Sequence, residues 1–289
     1  MSLQSPPDFD ALWDYSHPDK TEEKFREAIL QIPEDDPVYL ELLTQVARAQ
    51  GLQRKFDIAH QTLDQVEKRL GNYASRAKVR YLLERGRVHN SSGRPDAARP
   101  FFEEAMELAN QLSEDFYTVD AIHMLAIISP PDRSLDLNLQ AIQLAESSSQ
   151  DKAQNWLGSL YNNVGWSYHD LGNYEAALEN FEKAEAWQRS KGRLNETRIA
   201  TWAAARTLRS LNRVEEAFSK QMALKEEFES TDEADGYVFE EIGACLLLLD
   251  RAEEARLYFA KAHEILSQDE WLRDKEPARL ARLKELGTG

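Results

Sequence analysis

Seven side chains of this 289-residue chain have the chemistry expected of a nucleophile, a base or a soft metal ligand near neutral pH: the histidines at 17, 60, 89, 123, 169 and 263, and Cys245. A zinc or hydrolytic centre needs such groups at fixed spacings, for example two histidines one helical turn apart. These histidines are dispersed. His123 and His169 are the pair that could approach across neighbouring helices. No Gly-rich phosphate loop, dinucleotide fingerprint or nucleophile elbow occurs. Cys245 lies in the apolar run from Ala244 to Leu249 and reads as a buried structural thiol. The pattern predicts no metal, no cofactor and no catalytic residue, and it makes an enzyme the least favoured class.

Charge narrows the partners. The formal net charge is −16, from 51 acidic and 35 basic residues, which opposes the phosphate neutralisation on which nucleic-acid binding depends. Acidic runs such as Glu226, Glu227 and Glu229 read as solvated helix faces. No apolar run approaches the roughly 18 residues of a membrane span, and the first residues are acidic with two prolines rather than basic then apolar. A soluble, cytoplasmic protein that binds neither nucleic acid nor membrane is expected.

The elements that must position any site are helices. Apolar residues make up 42% of the chain, and its 10 prolines and 12 glycines fall at turns such as Gly93-Arg94-Pro95 and Pro130-Pro131. One small residue recurs: Thr21, Ala59, Ala98, Ser134, Ala177, Ala217 and Ala255, at spacings of 38, 39, 36, 43, 40 and 38. A large residue follows four positions later at Phe25, Leu63, Phe102, Phe181 and Phe259, whereas Asn138 and Gln221 break the rule. Preceding helices carry Val46-Ala47, Arg85-Gly86, Ala121-Ile122, Val164-Gly165, Ala204-Ala205 and Ile242-Gly243, mostly ending in a residue small enough for close helix contact. Surface loops are expected at Ser147 to Ala153 and at Ser230 to Gly236.

From Tyr161 to Ala184 the chain reads Tyr161-x2-Val164-Gly165-x2-Tyr168, a Leu171-Gly172 turn, then Ala177-x3-Phe181-x2-Ala184. This resembles a tetratricopeptide (TPR) repeat. The longer period is similar in length to the repeats of kinesin light chains and bacterial peptide-sensing regulators. The resemblance implies an all-α, right-handed superhelical solenoid of antiparallel helix pairs. It is expected to form one array over 1–289: an N-terminal cap and partial repeat to about residue 38, six repeats over 39–267 and a capping helix over 268–289. Leu12 and Trp13 should cover one end, and Leu280, Leu283 and Leu286 the other.

In TPR proteins the first helix of each pair lines the concave groove, and the residue after the small one points inward. Carried onto this chain, those positions are Arg48, Arg87, His123, Trp166, Arg206 and Ala244, with Asn90, Asn162, His169, Trp202 and Arg209 on the same strip. Eighteen strip positions hold four arginines and two histidines against Glu240, the reverse of the chain's overall sign. Arginine forks bind carboxylates, and flat tryptophan faces offer apolar area beside them. The resemblance therefore implies a non-enzymatic scaffold or adaptor that binds a protein or peptide, such as an acidic segment or a C-terminal carboxylate. The alternative is a peptide- or small-ligand-responsive sensor module. The lysines with which some chaperone-binding TPR domains grip a carboxylate are missing from the strip. Oligomeric state has no signature in the sequence.

Overall fold

The computed structural model describes residues 9–71 and 75–288. Every described element is helical, and among the described residues no helix is long and apolar enough to cross a membrane. The helices pack into two compact units, one ending at Trp156 and one beginning at Leu157.

In the first unit a single 3-10 turn, Phe9–Leu12, precedes α1 (Pro18–Ile29). Three antiparallel pairs follow: α2 (Pro37–Leu52) with α3 (Phe56–Arg69), α4 (Arg76–Ser91) with α5 (Pro95–Gln111), and α6 (Asp115–Ile127) with α7 (Pro131–Ser147). Prolines at the first turns of α1, α2, α5 and α7 fit because the missing N–H has no partner there anyway. The four-residue α8 (Asp151–Gln154) overlaps the stretch expected to be a surface loop. Ser148 is buried there, its hydroxyl donating to Asp115 Oδ2 at 2.6 Å. The turn of Phe9 packs with Phe25, Leu42 and Val46, and Leu12 and Trp13 lie against the same cluster.

The second unit repeats the plan with α9 (Leu157–Asp170) and α10 (Tyr174–Ser190), α11 (Leu194–Ser210) and α12 (Val214–Glu229), and α13 (Gly236–Leu248) and α14 (Ala252–Leu266). The expected C-terminal cap is two helices, α15 (Glu270–Lys275) and α16 (Pro277–Thr288), because Pro277 starts a new helix. Leu280 and Leu283 join the cluster of Ile242, Phe259 and Leu266.

The repeat register is visible in burial. Thr21, Ala59, Ala98, Ala177, Ala217 and Ala255 are buried, as are Phe25, Leu63, Phe102, Phe181 and Phe259. The two irregular positions occupy the same slot: Asn138 and Gln221 are buried, donating to the carbonyls of Ser134 at 2.9 Å and Trp202 at 3.4 Å. The amide N–H of each finds a backbone acceptor, while Asn138 Oδ1 and Gln221 Oε1 are buried without a hydrogen-bond partner among the described residues.

Candidate functional site

The first helices of the pairs, α2, α4 and α6 in one unit and α9, α11 and α13 in the other, carry the strip singled out from the sequence. The positively charged strip expected there is largely neutralised. Arg87 donates to Glu84 at 2.5 Å and to both oxygens of Asp120 on α6 at 2.5 Å. The side chains of Glu84 and Asp120 are only 3% and 5% exposed. Burial alone would lower the pKa of Arg87, but the two carboxylates more than offset it and hold the guanidinium charged. Arg48 reaches Glu84 at 3.5 Å and lies over the rings of Trp13 and Tyr15 at 5.5 and 5.7 Å. Asn90 is half-buried on the last turn of α4. His123 stands 5.1 Å from the ring of Trp156, and burial lowers its pKa. Among the described residues no group of three or more histidine, cysteine, aspartate or glutamate side chains is arranged to hold a metal.

The second unit brings five strip residues together. Trp166 packs edge-on to Phe181 at 5.0 Å, lies 6.0 Å from Trp202 and 5.4 Å from His169. His169 Nε2 is 3.1 Å from the hydroxyl of Ser210, and its pKa is lowered by burial and then by Arg206. Trp202 continues to Tyr237 at 6.2 Å and donates its indole N–H to the Tyr237 carbonyl at 3.2 Å. The guanidinium of Arg206 lies 5.6 Å from the Trp202 ring and that of Arg279 lies 4.9 Å from the Tyr237 ring. Arg206 and Arg209 share one carboxylate, Glu241, at 2.7 Å each. The hydrogen bond to Glu241 raises the pKa of Arg209. Asn162 is half-buried on α9, and its buried Oδ1 has no hydrogen-bond partner among the described residues.

Two cavities are lined by α11 and α13 together with residues of neighbouring helices. One of about 400 Å³ is mainly apolar, with Ile199, Trp202, Phe228 and Tyr237 in its wall. The other, of about 570 Å³, is lined by Arg206, Arg209, Arg279 and Arg282 against Glu240 and Glu241. Arg279 pairs with Glu276 at 3.1 Å as well as with Glu240, so four guanidinium groups meet three carboxylates, an excess of one positive charge inside a strongly acidic chain. Arg206 and Arg209 keep 34% and 25% of their side chains exposed, and Arg282 is exposed without an ion pair among the described residues. Tyr237, Arg279 and Arg282 were not among the predicted site residues. Tyr237 lies seven residues before Ala244, two turns along the same face, a spacing that could have found it. The two arginines come from the cap, outside the repeat.

A helical-repeat protein whose first-helix faces carry aromatic and charged side chains is the class that this fold and site define. The tetratricopeptide repeat family model matches residues 79–112 and 158–191, which cover most of α4 with α5 and most of α9 with α10. Among solved structures, apo RapI superposes with a TM-score of 0.72 at 12% identity, over 91% of this chain and 76% of that one. A signal transduction ATPase with a tetratricopeptide repeat sensor from Pyrococcus horikoshii gives 0.71 at 17% identity; 94% of this chain is covered, but only 41% of that one. NprR in complex with its cognate peptide NprX gives 0.53 at 16% identity, over 96% and 81%. A comparison with curated protein sequences finds no match. Two helix pairs are thus recognisable tetratricopeptide repeats, and the fold is that of a TPR-like helical solenoid.

Proposed function

We propose that this protein is a non-enzymatic peptide-binding module whose second unit takes a short peptide on the first-helix face, with an apolar side chain against Trp202 and Tyr237 and a carboxylate among Arg206, Arg209, Arg279 and Arg282. The observation that carries the reading is the apolar cavity and the arginine-lined cavity opening on the same two helices, α11 and α13. Arginine forks supply orientation, and the aromatic walls supply area that becomes dry on binding. The peptide bound to NprR supports a peptide as the ligand of this fold. No nucleophile and base pair lines either cavity, so the chemistry on offer is recognition. We place the module in the cytoplasm, where its buried free thiol, Cys245, would stay reduced.

The test is fluorescence polarisation with a library of short peptides varied at the C-terminal residue and at one apolar position. Trp202→Ala and Arg282→Glu should each weaken the best binder by about ten-fold or more, the scale of losing one well-packed aromatic or one charge-assisted contact. Equal affinity for wild type and both variants, with folding intact, would sink the reading. A sensor role follows if the same peptide also changes the small-angle scattering profile; the sensor-bearing ATPase similar to this chain favours making that measurement.

A further inference from the structure

The first unit holds a separate cavity of about 580 Å³ over Arg80, with Arg76, Glu41, Tyr117, Gln150 and Lys152 in its wall. Arg80 is 6% exposed. Its Nε donates to the Tyr117 hydroxyl at 2.6 Å and lies 3.2 Å from Glu41 Oε2. Its outward nitrogen, Nη2, reaches the carboxylate of Asp10 at 3.2 and 3.4 Å. The same carboxylate accepts from Lys152 Nζ at 2.9 Å, so one side chain joins groups 70 and 142 residues away. Phe9, beside it, lies 4.9 Å below the Arg80 guanidinium.

A buried guanidinium needs an acceptor at each face of its fork. Glu41 and Tyr117 are supplied by the helices α2 and α6. The third acceptor comes on a four-residue turn at the edge of the fold, whose Asp10 side chain remains one-third exposed. Open volume continues past it to Arg76 and Gln150. An aromatic ring followed by a carboxylate is therefore the chemistry that this floor accepts, and the chain presents it from its own N-terminal segment. Such a tether holds the group at an effective concentration in the millimolar range, enough to mask an intrinsically modest site.

We propose that the Arg80 cavity is a ligand site for a partner-protein segment carrying an aromatic residue followed by an acidic one, and that Phe9-Asp10 is its tethered occupant. This site is independent of the one on the second unit, so either assignment can fail alone.

The probe is a fluorescent peptide with the sequence of residues 9–16, Phe-Asp-Ala-Leu-Trp-Asp-Tyr-Ser, titrated against the full chain. Asp10→Asn weakens the internal competitor while Glu41 stays on Arg80. The peptide should bind this variant about ten-fold or more tighter than wild type, the scale of one charge-assisted hydrogen bond. On the Asp10→Asn background, Lys152→Gln, at a side chain 57% exposed, should weaken the peptide again. A peptide with Asn in place of its first Asp should lose about as much. Indifference of the peptide to Asp10→Asn, or no binding to a variant that still melts cooperatively, overturns the proposal. So does loss of folding in both Asp10→Asn and Asp10→Ala, which would make the carboxylate a fixed structural part.

Discussion

Gly165 on α9 and Phe181 on α10 meet so closely that a methyl group on the glycine would stand 2.6 Å from the ring. The same relation holds for Gly86 with Phe102 at 2.4 Å and for Gly243 with Phe259 at 2.9 Å. In each case the partner follows sixteen positions later (181 − 165, 102 − 86, 259 − 243). Where that first position is larger, the residue sixteen on is smaller or flexible: Ala47 with Leu63, Ala205 with Gln221, Ile122 with Asn138, all of them buried. Each pair divides one packing volume between its two helices, and the interior density of proteins leaves little slack in that division.

Gly165→Ala should therefore destabilise the protein even though alanine is the better helix former by about 1 kcal/mol. Overpacking costs about 1 to 3 kcal/mol, and Phe181 is fully buried. Phe181→Leu should recover part of the loss, because it recreates the Ala–Leu combination of the α2 and α3 pair. Urea melts of the two single variants and the double variant would show a favourable coupling of about 1 kcal/mol. A Gly165→Ala protein as stable as wild type would mean that the ring withdraws freely, against this account.

Arg87 is a second structural prediction, and it reverses the role read from the sequence. Its fork is filled by Glu84 and Asp120, so an acidic ligand finds no free donor there. Arg87→Ala leaves the buried Asp120 without its cation and Glu84 with Arg48 alone, at 3.5 Å; removing one partner of a buried ion pair typically costs about 3 to 5 kcal/mol. Arg87→Glu should be worse and should abolish folding of the first unit. A circular-dichroism melt checks both; an Arg87→Ala loss under about 1 kcal/mol would show that water reaches the carboxylates.

The contrast between repeat and site shows what a sequence can carry. The register was legible because a small residue and a large one four later face the same seam in every pair, so Thr21 to Ala255 mark it even through Asn138 and Gln221. The charge of the strip differs from the expected one for a local reason. The expected strip comprises the residues four before and three after each central position. The residue three before shares the same face, and there sit Glu84, Asp120 and Glu241. Each answers an arginine from the preceding pair: Arg48, Arg87 and Arg206 in turn. The contact of Asp10 with Arg80 and Lys152 had no signature to read. No periodicity links a turn at the start of the chain to a lysine 142 residues on.

Acid should weaken this fold through its histidines. Burial lowers the pKa of His60, His89, His123 and His169 below the usual 6.5, and for His89 the value falls to about 4, with His60 the next cause after burial. The unfolded chain then binds a proton at His89 near pH 6.5, whereas the folded chain resists it until about pH 4. Between those values the unfolded state holds more protons, so stability rises with pH across the window and is lost as pH falls through it. Glu41 acts in the opposite direction, since burial raises its pKa and favours the folded state on protonation. A comparison of wild type with His89→Gln separates the histidine from that carboxylate. His89 stacks on Phe101 at 5.4 Å and lies 4.8 Å from His60, a site that a neutral amide can occupy without charging. From pH 7 to pH 4.5 the urea midpoint of wild type should drop further than that of His89→Gln, and parallel curves would mean that the imidazole titrates in the folded protein as it does in water.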